Sequence, residues 1–256
     1  MTLRARGLAL GYGGRRIIEG LDLDLGEAPM TAILGPNGCG KSTLLRALGR
    51  LMAPEAGRVT LDGEDIRRLD TKALARRMAI LPQSPVAPEG ISVGDLVRRG
   101  RLPWRGMLSP WRAEDQRACA EAMAAVELSE LAGLPLDELS GGQRQRAWIA
   151  LVLAQATPLL LLDEPTTFLD LSHQLDLLGL LRARGRERGL TVVSVLHDLN
   201  LAARFCDVLV LLGPRGLVAR GEPSEVLTPA HLAAAFGLSA EVHPDPVTGA
   251  PMVIPR

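Results

Sequence analysis

Aromatic residues are scarce in this chain of 256 residues: one tyrosine, three tryptophans and three phenylalanines make up 3% of it. A surface that stacks on nucleic-acid bases draws on aromatic rings, so nucleic acid is not the expected partner. Net charge is also missing, because 29 Lys and Arg balance 29 Asp and Glu. Nothing in that balance points to a polyanion or an acidic membrane. Cysteine is sparse: Cys39, Cys119 and Cys206 lie far apart. An odd, scattered set is neither a disulfide framework nor a zinc pattern, and reads as reduced cytosolic thiols. Long hydrophobic runs are lacking too. Met1 to Arg6 has no apolar signal-peptide core, and the most membrane-like stretch, 147–162, is divided by Gln155, Thr157 and Pro158. It predicts a buried helix ending before Pro158, then a short buried strand over Leu159–Asp163. The chain is expected not to span a membrane.

What is present is an ordinary globular composition, 47% hydrophobic and 23% charged, with enough apolar material for a substantial core. Short apolar runs alternate with helical patterns, the signature of an α/β fold around a largely parallel sheet. Strands are predicted at 31–35, Met78–Leu81, Leu159–Asp163, 191–196 and 208–212, with helices at 41–51, Leu171–Arg188 and Pro229–Phe236. The helix over Leu171–Arg188 carries a leucine stripe at 171, 175, 178 and 181. Between Pro82 and Pro158 the character changes: a Pro-rich loop precedes helix-like stretches near 92–100, 113–127 and 142–155, with no convincing strand. This composition shift reads as a helical insertion in the α/β core. Beyond Pro229–Phe236 the tail is rich in proline, at Pro244, Pro246, Pro251 and Pro255.

Gly35-Pro36-Asn37-Gly38-Cys39-Gly40-Lys41-Ser42-Thr43 fits the spacing G-x-x-x-x-G-K-[ST] between a predicted strand and a predicted helix. The glycines let the backbone curl so that successive N–H groups face a phosphate, with the positive end of the helix behind them. Lys41 would sit between the β- and γ-phosphates, and the Ser42 hydroxyl would be a Mg²⁺ ligand. Cys39 lies beside a helix start and a lysine, which could activate its thiol, or is simply a small buried residue. Further on, an apolar strand ends in Asp163-Glu164-Pro165. There Asp163 can reach the Mg²⁺ shell and Glu164 can polarise an attacking water. Ser140-Gly141-Gly142-Gln143 opens an apolar helix; Ser140 suits an N-cap, and two glycines allow close approach of an anion.

With these residues in place, the order of motifs resembles the ABC ATPase family along essentially the whole chain. The Ser140 segment looks like that family's signature. The resemblance implies a RecA-like P-loop core with an N-terminal antiparallel β region and an inserted helical subdomain. It implies a single ABC ATPase domain with core 1–88 and 157–227, helical subdomain 89–156 and C-terminal extension 228–256. ATP and Mg²⁺ are the implied ligands. Tyr12 would stack on adenine, Gln83 would sense Mg²⁺ and water, Asp170 would lie in the loop after the acid pair, and His197 would contact the γ-phosphate. Each has a plainer alternative: Tyr12 as partial core, Gln83 as a strand cap, His197 as a turn residue.

The resemblance further implies that two subunits sandwich two ATP molecules, each phosphate loop meeting the other copy's Ser140 segment. It also implies a separate membrane permease, with a periplasmic or lipid-anchored binding protein acting indirectly, and a peripheral position on the cytoplasmic face of the membrane. The stretch 102–111, with Trp104 and Trp111, is either a permease-facing surface or a long loop packed on the helical lobe. A narrower resemblance concerns cargo. The run from Pro165 to Gln174, with Thr166-Thr167-Phe168-Leu169-Asp170, and the tail around Asp245-Pro246 look like ATPases that import ferric siderophores and ferric citrate. The His197-Asp198-Leu199-Asn200 segment is shared with haem and cobalamin importers and does not discriminate. A soluble ABC ATPase acting on nucleic acid or ribosomes would bring paired cassettes, zinc cysteines or basic extensions, and none is visible. A small-molecule kinase would leave the Ser140 segment and His197 unexplained.

Overall fold

The computed structural model describes residues 1–26, 28–106 and 109–256. The chain opens with a hairpin, β1 (Leu3–Tyr12) and β2 (Arg15–Leu25). Its two-residue turn is Gly13-Gly14, with φ of 57° and 81°. Two central residues in the left-handed region define the turn whose twist matches that of paired strands, and glycine enters that region without a steric cost. Next come β3 (Met30–Leu34), α1 (Lys41–Leu48), β4 (Ala56–Leu61), β5 (Glu64–Asp65), α2 (Thr71–Arg77) and β6 (Met78–Leu81). A helical stretch follows: α3 (Val93–Arg98), α4 (Ala113–Ala125) and α5 (Gly141–Ala154). The chain then returns to β7 (Leu159–Asp163), α6 (Leu171–Arg188), β8 (Thr191–Val195), α7 (Leu199–Phe205), β9 (Val208–Gly213) and β10 (Gly216–Gly221). It closes with α8 (Pro223–Val226), α9 (Pro229–Phe236), β11 (Ala240–Pro244) and β12 (Pro251–Pro255).

Six strands form the central sheet in the order β10-β9-β3-β8-β7-β6. All neighbours are parallel except β9 and β10. Every residue of β3, β7 and β8 is buried, as expected for strands covered on both faces. Alternate residues divide between two cores. Ile33, Leu161, Val193 and Val195 pack with α1 and with the antiparallel sheet β2-β1-β4-β5. Leu34, Leu160, Leu162 and Val192 pack with the helical stretch, α6 and α7.

Between β6 and β7 the described residues contain helices, 3-10 turns and an isolated bridge from Ser92 to Pro135. The predicted helix at 92–100 gives way at Arg99 to a 3-10 turn (Arg99–Trp104) that accommodates Pro103. A buried ion pair fixes this segment. Arg101 Nε lies 2.9 Å from Asp115 Oδ1, with side chains 3% and 4% exposed, and Arg101 also donates to the Ala154 carbonyl at the end of α5. Burial pushes the Asp115 carboxyl up, but the Arg101 guanidinium and the Arg112 N–H outweigh it and hold it below the ordinary range.

Two expectations need correction, and one segment gains a structure. The helix at 41–51 ends at Leu48, because Gly49 follows and Arg50 turns to φ 59°. Leu171 leaves the predicted stripe and stands 65% exposed, while Leu177 joins Leu178 and Leu181 inside. The Pro-rich tail is an ordered hairpin. Pro244, Pro251 and Pro255 lie at strand ends, where a missing N–H costs least. Pro246 lies in the turn, where the Asp245 carboxylate accepts from the Val247 and Thr248 N–H groups.

Removing one partner of a buried pair strands the other charge, a cost of about 3–5 kcal/mol. Asp115→Ala is therefore expected to lower the thermal midpoint by roughly 10 °C at neutral pH. The wild-type advantage is complete above the ordinary carboxyl value of 3.8 and is lost as pH falls through the depressed folded value. Calorimetry of both proteins at neutral and acid pH checks this.

Candidate functional site

Residues 35–43 connect β3 to α1. Gly35 has φ 151°, and a Cβ there would lie 2.4 Å from the Leu212 carbonyl oxygen. At Gly40, φ is 102° and a Cβ would meet Ile17 at 2.7 Å. Both positions therefore require glycine. α1 has no side-chain N-cap bond, so its first-turn N–H groups face outward as an anion site. Lys41 is 5% exposed, and its Nζ donates to the Gly35 and Pro36 carbonyls at 2.9 Å each. An ammonium carries three N–H donors, and the two carbonyls fix the direction of the third.

The parallel register brings the remaining groups to the same edge. Asp163 pairs with Val195 across β7 and β8, and Ile33 pairs with Val195 across β3 and β8. The C-terminal ends of three strands are thus level. Ser42 Oγ donates to Asp163 Oδ1 at 2.9 Å. Burial pushes the Asp163 carboxyl above its ordinary value, opposed by the Ser42 hydrogen bond and the Lys41 and His197 charges. Glu164 follows in the left-handed region at φ 53°, its N–H bonded to the Val195 carbonyl. Glu164 Oε1 lies 2.6 Å from His197 Nε2, and Thr167 Oγ1 donates to Glu164 Oε2 at 3.5 Å.

A cavity of about 470 Å³ is lined by Lys41, Ser42, Thr43, Gln83, Glu164 and His197, together with Ile17 and the loop residues Asn37, Gly38 and Gly40. A second, of about 550 Å³, shares Ile17, Asn37 and Gly38 and adds Tyr12, Arg15, Arg16, Pro36, Cys39 and Pro214. Tyr12 is 46% exposed there, not partial core. Sequence reasoning missed Arg15, Arg16 and Ile17; their only signal was a position just after the Gly13-Gly14 turn.

Two groups of predicted residues lie outside both cavities. Ser140 caps α5: its hydroxyl oxygen accepts from the Gln143 N–H, and Gln143 Oε1 accepts from the Ser140 N–H. Those bonds leave the Ser140 O–H proton free to donate elsewhere. Gly141 and Gly142 lie against the turn after the acid pair; a Cβ on Gly142 would be 3.2 Å from the Phe168 carbonyl. Asp170 caps α6, accepting from the His173 N–H and the Ser172 hydroxyl at 2.9 Å, which hold its carboxyl down at about 2. Gln145, another residue missed from sequence, is buried and donates to the Pro165 carbonyl at 3.1 Å, bracing the same turn.

The oxygen donors Ser42, Asp163 and Gln83 suit a hard cation such as Mg²⁺ that shares its ligands with phosphates. Among the described residues no group of three or more His, Cys, Asp and Glu could hold a metal by itself. No helix of the described residues is long and apolar enough to cross a membrane.

Loop, acid pair and histidine together define a phosphate-binding P-loop ATPase site. Residues 18–167 match the ABC transporter family. The ferric enterobactin transport ATP-binding protein FepC of Escherichia coli (strain K12) is 49% identical over 99% of this chain and 93% of its own length. The achromobactin transport ATP-binding protein CbrD of Dickeya dadantii (strain 3937) is 48% identical over 99% of this chain and 94% of its own. A solved metal-chelate type ABC transporter in an inward-facing conformation superposes with a TM-score of 0.83 at 29% identity, covering 100% of this chain and 97% of that one. The chain belongs to the ABC transporter family and is an ATP-binding, ATP-hydrolysing domain of it.

Cys39 takes the plainer of its two readings. It is 9% exposed, and burial raises its thiol despite the neighbouring Lys41 charge. Burial also raises Cys119 and Cys206. Titration with a thiol reagent at neutral pH is expected to show all three cysteines reacting slowly in the native chain and promptly in denaturant. A fast native equivalent that Cys39→Ala removes would show an activated Cys39.

Proposed function

We propose that ATP is hydrolysed in the cavity lined by Lys41 and Glu164, and that this drives uptake of a ferric siderophore through a separate permease. The observation that supports the chemistry best is the convergence of Lys41, the Ser42–Asp163 bond and the Glu164–His197 contact on one cavity. Lys41 and the α1 N-terminus bind the β- and γ-phosphates. Ser42, Asp163 and Gln83 would hold a Mg²⁺ ion, which would supply positive charge to those phosphates. Glu164 orients the attacking water in line with the γ-phosphate and takes its proton. His197 donates toward the γ-phosphate and keeps the Glu164 carboxylate aimed. Tyr12 stacks on the adenine.

Ser140 to Gln143 and Asp170 act on a second copy of the chain. They line neither cavity, and the Ser140 O–H, which the cap leaves free to donate, together with the Gly141 and Gly142 N–H groups in the first turn of α5, suits a phosphate supplied from outside. Reciprocal donation gives an isologous dimer with two shared sites. The domain reading follows: core 1–88 and 157–227, helical subdomain 89–156 and extension 228–256.

The permease reading centres on 102–111, of which Met107 and Leu108 lie outside the described residues. Trp104 is anchored, its Nε1 donating to the Gln155 carbonyl and its ring lying by Arg76 and Arg101. Trp111 lies between Arg98 and Arg105, is partly buried against the helical core and donates from Nε1 to Gln116 Oε1 at 3.0 Å. Both tryptophans therefore pack their own loop, and we assign the permease contact to the open cavity of about 410 Å³ that Trp111 borders with Asp95, Arg98, Arg99, Leu102 and Arg105. The assembly then sits on the cytoplasmic face of the membrane, with a binding protein acting on the permease from the other side. Ferric chelate as cargo is supported by the relatives named for ferric enterobactin and achromobactin transport and by the run from Thr166 to Asp170.

Glu164→Gln is expected to keep nucleotide binding while turnover falls about 10²–10⁴-fold, the range for loss of a general base. Turnover within tenfold of wild type would remove Glu164 from that role. For the cargo, a strain lacking the gene is expected to stop growing on ferric siderophores as sole iron source. Unchanged growth there, with loss of haem or cobalamin uptake, would reassign the cargo.

A further inference from the structure

The C-terminal hairpin packs against α7 and bonds it through Asn200, close in sequence to His197. Asn200, in the first turn of α7, lies three residues after His197. Its Nδ2 donates to the Val253 carbonyl at 3.3 Å and its Oδ1 accepts from the Val253 N–H at 2.7 Å. Val253 faces Val242 across the hairpin, yet both its backbone groups are directed to Asn200, so this is a non-hydrogen-bonded pair on the outer edge of β12. A carboxamide is a peptide group in miniature, and here it completes the edge that β12 would otherwise leave open. The Val253 side chain is 6% exposed in the core shared with α7 and α9, so the hairpin is seated rather than loosely apposed.

The segment around His197 is therefore held from two sides. Upstream, the Leu196 N–H bonds to the Ile33 carbonyl. Downstream, Asp198 caps α7 by accepting from the Asn200 and Leu201 N–H groups, and Asn200 ties that turn to the hairpin. α7 has only seven residues, too short to hold its orientation by its own hydrogen bonds.

We infer that Asn200 is a positioning residue: through it the hairpin β11–β12 holds α7, and with it His197, in register with Glu164 for hydrolysis. This rests on the assignment of His197 to the γ-phosphate made above. A shift of about 1 Å in a reacting group costs about 100-fold; loosening one of two restraints on His197 should cost less.

The test compares N200A and H197A, both made in the full-length protein, with a chain ending at Ser239, alone and with N200A. In N200A kcat for ATP is expected to fall about tenfold, with nucleotide Kd within twofold of wild type. The truncated chain should show a similar loss, and combining the two should add little, because both remove the same contact. Unchanged kcat in N200A, a weakened Kd in place of a lower kcat, or multiplying losses would overturn the inference. N200A decides alone if the truncated chain does not fold by thermal denaturation. Normal turnover in H197A would instead remove the His197 assignment, a failure distinct from that of the hairpin.

Discussion

Ser42 and Asp163 are 121 positions apart in sequence, and their side chains meet at 2.9 Å. That contact exists only because β3, β8 and β7 run parallel and end level, so that the loop leaving β3 and the turn leaving β7 open on the same side. Open α/β sheets place their ligands at this edge for the same reason. The sheet's register thus brings together groups that repel one another. Two carboxylates stand beside a phosphate site, and one of them is buried with its proton affinity raised. Lys41 and the α1 N-terminus offset part of that charge. A divalent cation on the same oxygens would offset most of the rest, which is why this donor set makes better sense with Mg²⁺ than without it.

α5 carries the consequences away from the site. At its start, Gly142 lies close against the Phe168 carbonyl and Gln145 holds the Pro165 carbonyl, so the Ser140 end is packed on the turn that contains Glu164. At its far end, Ala154 accepts from Arg101, and just beyond it Gln155 bonds Trp104 and the Ala75 carbonyl. One helix therefore links the proposed partner-facing segment, the turn that carries Glu164 and the tryptophan loop. Cores are close-packed, so α5 gives a continuous packed path from either of its ends to that turn.

How much of this was legible varied with how local the signal was. The phosphate loop, the strand ending in Asp163-Glu164 and the break at Pro158 were readable because glycine, proline and a fully buried run constrain backbone over a few residues. The N-terminal sheet was harder. β1 and β2 are held by pairing across a bulged register, and only the family resemblance pointed to them. The tail hairpin carried no strand signal, because proline disfavours strand interiors, whereas Pro244, Pro251 and Pro255 at strand ends remove no needed bond. Leu171 misled for the opposite reason: its spacing was helical, but the helix starts beside the exposed Phe168 turn, where there is no core to enter. The Asn200 clamp had no sequence signal, since its partner is 53 residues away and contributes only backbone.

The turn from Glu164 to Phe168 departs furthest from backbone preference. Both residues have positive φ, 53° and 67°, where a side chain is disfavoured by about 1–2 kcal/mol. Glycine at 164 would relieve that strain and abolish the carboxylate, so the position is set by chemistry against conformation. What holds it is a ring of contacts from separate elements: the Val195 carbonyl on the Glu164 N–H, Gln145 on Pro165, and His197 on the carboxylate itself. Strain of this kind persists where the surroundings over-determine it. The same turn lies against Gly141 and Gly142, and Phe168 is 75% exposed. A second copy docking on that face would therefore press on a turn with little slack, and the catalytic carboxylate would register its arrival.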